Sequence, residues 1–285
     1  MNDPPSPECY DGLEVERFAG GGSRDSTCLK GEIMKRALLL ALPVLVAGCD
    51  GNVFGIGACN VDREIYDELN AGSAAVVRIL ADEGNLEVRG RPGISRVRVT
   101  GRACAENRST LNDIDLVLDR SGDVIRIMTF VRDNRRGDDG RLDLLVEVPA
   151  DMIVDIEHTD GNIDVRDVRA AFIYDDDGSI RVENVSQDVG ISDGSGNITI
   201  RRVGGDIYLL DESGHIDIHE VDGLVYIEED GSGDIRVQDV LGDVYIHEDG
   251  SGDIEVFDIY GDFIVDYDSS GRITYRNVRG IVDIP

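Results

Sequence analysis

Six aspartates recur at one position of a periodic chain: Asp175, Asp193, Asp211, Asp230, Asp249 and Asp268 each stand five residues before an isoleucine. Carboxylates in a D-G-S-G-D setting can hold a hard cation through oxygen ligands, so Asp211, Asp230, Asp249 and Asp268 form a candidate cation ladder. The spacing fits neither of two familiar calcium motifs. An EF-hand loop would place Ile173 at its first ligand position, and the nonapeptide calcium roll has half this period. Aspartate beside glycine is also ordinary turn chemistry. A row of exposed turn carboxylates that aids solubility is therefore the plainer expectation, with weak cation binding as its alternative.

Other reactive side chains are scattered. His158, His215, His219 and His247 sit at four different offsets with no cysteine beside them in the repeats. A zinc site needs converging ligands, so these histidines are expected at the solvated surface, and no metal centre or cofactor is implied. Ser195, Ser213, Ser232, Ser251 and Ser270 precede glycine without a paired histidine. A second row lies ten places after the isoleucines: Ile173, Tyr208, Tyr226, Tyr245 and Ile264, interrupted by Gly190. Alternation points this row outward. Tyr208, Tyr226 and Tyr245, beside carboxylates, form a candidate binding stripe for a glycan or an envelope protein. Aromatic pairs that merely stabilise a strand ladder are the alternative, worth about 0.2–1 kcal/mol each.

The elements that position these residues follow from the period. The anchors Ile163, Ile180, Ile198, Ile216, Ile235, Ile254 and Ile273 are separated by steps of 17, 18, 18, 19, 19 and 19. A fixed period near twenty marks a repeat array in which each unit buries its apolar side against its neighbours. Apolar residues recur two, five, nine and eleven places after each anchor, as in Val237, Val240, Val244 and Ile246 after Ile235. Spacing by two puts side chains on one strand face. Each coil thus contributes short strands to a shared interior, giving an all-β, single-stranded β-helix, a β-solenoid with about 17–19 residues per coil. Glycines two places before every anchor, Gly161 through Gly271, supply the tight corners. The narrower early periods point to an irregular corner in the first coils.

Upstream of the repeats the pattern loosens. Alternating segments such as Ala75–Ile79, Gly84–Val88, Ser95–Val99 and Leu142–Pro149 predict an irregular β cap continuous with the solenoid, with Asp133–Arg141 as a charged loop. The expected organisation is an upstream extension from a mis-assigned start (1–33), a signal peptide (34–49), a tether (50–73), an irregular β half (74–155) and regular repeats (156–285). Met34-Lys35-Arg36 opens a basic-then-apolar stretch too short to span a membrane. That stretch ends in Val46-Ala47-Gly48-Cys49, which resembles a bacterial lipobox and implies lipidation at Cys49. The anchor would place the domain at the outer or inner membrane of a cell envelope. Asp50 resembles an inner-membrane retention signal. With Cys49 lipidated, Cys59 and Cys104 remain as an even pair, and export favours a disulfide between them.

Composition restricts partners. The formal charge of -30, from 28 Lys and Arg against 58 Asp and Glu, repels nucleic acid, which is therefore excluded as a partner.

Val148-Pro149-Ala150-Asp151, the segment Thr159–Val165 (T-D-G-N-I-D-V) and repeats such as Ser232–Val237 resemble the bacterial putative-adhesin family, over roughly residues 70 to 285. The resemblance implies a right-handed β-helix-like fold, frequent carriage on lipoproteins, and no catalytic residues. The expected function is a non-catalytic, lipid-anchored envelope protein for adhesion or scaffolding. The rivals are a glycan-active β-helix enzyme and a cation-dependent structural module. Nearly constant coil steps leave no long loops to wall an enzyme's cleft.

Overall fold

The computed structural model describes residues 59–131 and 140–285. The proposed upstream extension, the signal peptide, Cys49 and most of the charged loop lie outside the described residues. What is described is nearly all β: two parallel-stacked sheets of 11 strands each, forming a β-solenoid.

One sheet, A, takes the first strand of every coil, such as Ile198–Val203, Ile216–Val221 and Ile235–Val240. The other, B, takes the second, such as Ile207–Asp211, Val225–Asp230 and Val244–Asp249. Every anchor pairs in register with the next, Ile216 with Ile235 and Ile235 with Ile254. The inward residues are β-branched or leucine because such side chains pack on a pleated, half-buried surface. Ile235, Val237, Val240, Val244 and Ile246 are all fully buried.

The bend in each first strand is an element that periodicity did not reveal. Four places after each anchor stands a residue with positive φ: Asp167, Asn184, Arg202, Glu220, Asp239, Asp258 and Asn277, at 57 to 61°. This left-handed residue turns the chain so that the next valine also points inward. Aspartate and asparagine tolerate it best among residues with a side chain.

Two irregularities explain the changing period. Between Val168 and Ala171 the first coil has one residue fewer than the second has between Val185 and Val189, so Ala171 pairs with Val189. The pattern placed Phe172 and Tyr174 inside and Ile173 outside. In fact Ala171 and Ile173 are buried, and Phe172 and Tyr174 face out, because one missing residue flips a strand's faces. Later, a register shift between Leu209 and Leu210 matches Leu210 to Glu229. The extra residue is a bulge in sheet B, and it lengthens the step from 18 to 19.

At the N-terminal end the chain does not follow its own order. The strands Val76–Glu83 and Leu86–Arg91 form a regular coil, and they pair in parallel with Ile153–Asp160 and Ile163–Arg166. The intervening segment closes the end of the stack with antiparallel strands: Arg96–Ala105 against Gly140–Pro149, and Asp115–Ser121 against Val124–Phe130. A short helix, Arg108–Asp113, joins them, capped by Asn107, whose side chain accepts the N–H groups of Ser109 and Thr110. Part of the expected tether is structured: Val61–Asn70 is a strand on the outer edge of Arg96–Ala105. Cys59 and Cys104 form a disulfide at its start, with Cα atoms 5.4 Å apart. Gly140 and Arg141, assigned to the loop, begin a strand.

Close stacking is enforced at the glycine corner. A Cβ on Gly233 would lie 1.6 Å from the carbonyl oxygen of Gly214, and Gly233 has φ +146°. Gly93 has φ +79° with nothing within 4 Å. Gly93→Ala should therefore cost about 1 kcal/mol from backbone strain alone. Gly233→Ala should cost ~3 kcal/mol or more, because two coils must separate. Urea denaturation of both variants measures the difference, and equal midpoints would refute the stacking constraint.

Candidate functional site

The inward faces of sheet B end in a file of acids. Beyond Val189 and Ile191 the next inward residue is Asp193, and the same place is taken by Asp175, Asp211, Asp230, Asp249 and Asp268. These are not exposed turn carboxylates: Asp211, Asp230 and Asp249 are 0% exposed and Asp193 is 2%. Among the described residues, no donor meets either carboxylate oxygen of these four in hydrogen-bonding geometry. Burying a charge without a partner is costly, so the group neutralises instead. Burial, followed by the charges of Asp211 and Asp175, pushes Asp193 up to about 8. Burial, then Asp211 and Asp249, pushes Asp230 up to about 7. Asp211 and Asp249 rise to about 6, again chiefly through burial. The nearby Ser213 and Ser251 N–H groups pull the other way.

His158 heads this file and is a second departure from expectation. It pairs in register with Asp175 and is fully buried rather than solvated. Its Nδ1 lies 2.8 Å from Asp175 Oδ1, and its Nε2 lies 2.8 Å from the carbonyl oxygen of Gly84. The carbonyl only accepts, so Nε2 carries a hydrogen. One further proton lies between Nδ1 and the carboxylate. The other histidines lie on the surface: His219 bonds Asp217 at 2.6 Å and His247 bonds Asp266 at 2.9 Å. His215 Nδ1 accepts the N–H of Asp234 at 3.0 Å.

That last bond belongs to a polar ladder which sequence reasoning missed. At the place just before each anchor, a side chain accepts the N–H of its counterpart one coil on. Asp143 accepts from Asn85, Asn85 from Asn162, Asn197 from His215, Asp234 from Asp253 and Asp253 from Arg272. Asp188, Asp206, Asp243 and Asp262 do the same at the opposite corner. These carboxylates are structural acceptors, bonded to backbone that would otherwise be an open corner.

The outward stripe runs along sheet B. Tyr208, Tyr226 and Tyr245 are register partners, with Gly190 covered by the ring of Phe172 one coil earlier. Ring centroids of Tyr226 and Tyr245 are 5.3 Å apart and the planes differ by 5°. Tyr208 is tilted at 49° to Tyr226. The stack extends through His247 to Tyr267, which meets it edge-on. The Tyr245 hydroxyl donates to Asp266, which also bonds His247. That bond is the largest influence holding Asp266 below the usual carboxylate range.

What the site can hold is restricted. Among the described residues, no group of three or more His, Cys, Asp or Glu side chains is placed to hold a metal ion. The aspartate file does not converge because each coil supplies one carboxylate and the next coil lies a strand spacing away, ~4.8 Å. A shallow depression of about 230 Å³ lies beside Tyr174, Asp176, Ser192 and Glu212, below the ~300 Å³ at which small-molecule sites begin.

Comparison with known proteins follows this geometry. No family model matches the chain, and no curated protein matches it. Among solved structures it is similar to a putative cell adhesion protein from Clostridium sporogenes, at 7% identity, covering 78% of this chain and 99% of that chain with a TM-score of 0.30. It is also similar to putative adhesins from Bacteroides fragilis (11% identity, 78% and 97% coverage, TM-score 0.27) and Parabacteroides distasonis (10%, 78% and 97%, TM-score 0.29). At these identities no residue role is carried over.

The aspartate file generates a pH prediction. The folded pKa values of Asp193, Asp211, Asp230 and Asp249 lie above the unfolded value near 3.8, so the folded state binds more protons. Stability is fully present below about pH 4 and is lost as pH rises through 6 to 8. The melting temperature should fall between pH 5 and pH 8.5. Asp211→Asn with Asp230→Asn should flatten that fall, since stacked amides stay neutral. At pH 8.5 the double variant should be more stable than the wild type by a few kcal/mol, at roughly 1.4 kcal/mol per pKa unit. Thermal melts across the window check both statements, and parallel pH profiles for the two proteins would refute them.

Proposed function

We propose that this chain is a non-catalytic, lipid-anchored cell-envelope protein that uses the face of its β-solenoid for adhesion or scaffolding. The observation that carries the reading is the continuous outward stripe of sheet B. Constant coils set Tyr208, Tyr226 and Tyr245 in one line, with exposed Glu228, Glu229 and Glu248 beside them. Side chains that do chemistry elsewhere are structural here: His158 and the aspartate file are sealed inside. Interaction with a partner is therefore left to a surface rather than a cleft. The anchor rests on the lipobox-like Val46–Cys49, and the disulfide Cys59–Cys104 suits an exported protein.

Two outcomes test the two halves of the proposal. Cys49→Ala should abolish incorporation of a tagged fatty acid and release the protein from membranes, and retained label would remove the anchor. Replacing Tyr208, Tyr226 and Tyr245 together by Ser should lower attachment of expressing cells to their surface by roughly tenfold, the scale of a few lost aromatic contacts. Circular dichroism should still report β structure, and undiminished attachment by the folded variant would move the site off this stripe.

A further inference from the structure

The two outer faces of the solenoid treat their charges differently. On sheet A, acids are matched by arginines of the same chain. Glu183 bonds Arg181 at 2.5 Å and is approached by Arg166 and Arg202. Asp217 meets Arg201 at 3.3 Å, and Glu255 meets Arg236 at 3.5 Å. Two aromatic rings on that side are also covered by cations. Phe257 lies between Arg236 and Arg276, at 5.6 and 5.3 Å, and Tyr260 lies under Arg279 at 3.7 Å.

Sheet B pairs Arg78 with Asp155 and Arg126 with Asp119 near its N-terminal end, but lacks that compensation from Ala170 onward. Its six strands from Ala170–Asp177 to Phe263–Asp268 contain no Lys or Arg. Among the described residues, no Arg makes an ion pair with Asp176, Glu212, Glu228, Glu229 or Glu248, all of which are exposed. The bulge that lengthened the period adds to this display. It places Glu228 and Glu229 side by side on the surface, where the preceding coil has Leu210 alone. Like charges in register repel, so the face carries an electrostatic cost that sheet A relieves with arginine. A bound cationic chain would relieve it in the same way.

The tyrosines narrow the choice of ligand. With Tyr226 and Tyr245 parallel at 5.3 Å, each ring covers the other, so those faces are closed to a stacking sugar ring. Ring edges remain exposed as an apolar strip for the methylene stem of a long side chain, whose charged end reaches the carboxylates. Nucleic acid and anionic lipid are repelled by the same carboxylates.

We propose that the outer face of sheet B docks an Arg- or Lys-rich segment of a partner protein, laid along the solenoid axis over Tyr226, Tyr245, Glu228, Glu229 and Glu248. This rests on the surface-adhesion reading and names its partner class.

The experiment uses the purified full-length protein and a fluorescent peptide of alternating Arg and Ser, read by anisotropy at low and physiological salt. Glu228→Gln, Glu229→Gln and Glu248→Gln together should weaken binding roughly tenfold, with salt weakening the wild type toward the variant. A control on sheet A, Asp164→Asn, Asp217→Asn and Glu255→Gln, removes the same formal charge and should change affinity by no more than about twofold. All six positions are outside the buried core, and thermal melts confirm that both variants fold. Equal weakening by the two triple variants would show attraction to net charge alone and overturn the proposal, as would no binding at low salt. If cell attachment still depends on Tyr208, Tyr226 and Tyr245 in either of those cases, the adhesion reading stands while this partner class falls.

Discussion

Coil-to-coil backbone hydrogen bonding at strand spacing, ~4.8 Å, is the constraint on which the rest of this molecule depends. It forces every side chain to stand directly above the same position of the previous coil. At the corner the fit is closer than any Cβ allows, so the glycine rows follow from Gly84 onward. It also leaves N–H groups at each corner facing the preceding coil. The rows of Asp and Asn side-chain oxygens, ending in Asp253 and Asp262, accept them at these exposed corners. His215 substitutes in one row because a neutral imidazole nitrogen can accept as an oxygen does.

The same stacking sets like upon like, and for acids that is expensive. The molecule meets the cost in three ways. On sheet A, arginines alternate with carboxylates between coils. At the corners, carboxylates accept backbone hydrogens. In the interior file burial raises the proton affinity of Asp193, Asp211, Asp230 and Asp249, with pKa values pushed up to between about 6 and 8. Sheet B's outer face uses none of these on its six strands from Ala170–Asp177 to Phe263–Asp268, and the same stretch carries the aromatic stripe. That coincidence, more than the total charge, distinguishes it.

Much of the architecture was legible because it is repeated. The anchors, the two strands per coil and the glycine corners can all be read from steps of 17 to 19 residues. What failed was local register. One missing residue before Ala171 inverted the second strand of the first coil, and the anchor spacing alone does not say where in a coil the residue is lost. The burial of the aspartates was partly legible. Asp193 and Asp211 lie two places beyond Ile191 and Leu209, in phase with the inward residues. From Asp230 onward the bulge puts the aspartate out of phase, and its glycine neighbours read as a turn. The left-handed bend had a signal as well, since Asp or Asn fills five of its seven positions, Asp167, Asn184, Asp239, Asp258 and Asn277. The coil at Val76–Arg91 could not be placed, because its partner Ile163–Arg166 lies beyond a long excursion that closes the end of the stack.

Repetition also constrains what such a face can do. Equivalent side chains on successive coils are ~4.8 Å apart, too close for separate partners to occupy neighbouring coils. Several rungs must therefore be bridged by one extended ligand. Its contacts would be individually weak exposed ion pairs, worth about 0–1 kcal/mol each, and affinity would grow with the number of coils engaged rather than with the quality of any one site. A binding surface of this kind tolerates the change from Tyr245 to Ile264 along the stripe, and it needs neither a deep pocket nor a loop. Among the described coils, the near-constant step that leaves no long loop is the same feature that would make a long, shallow, graded interface available.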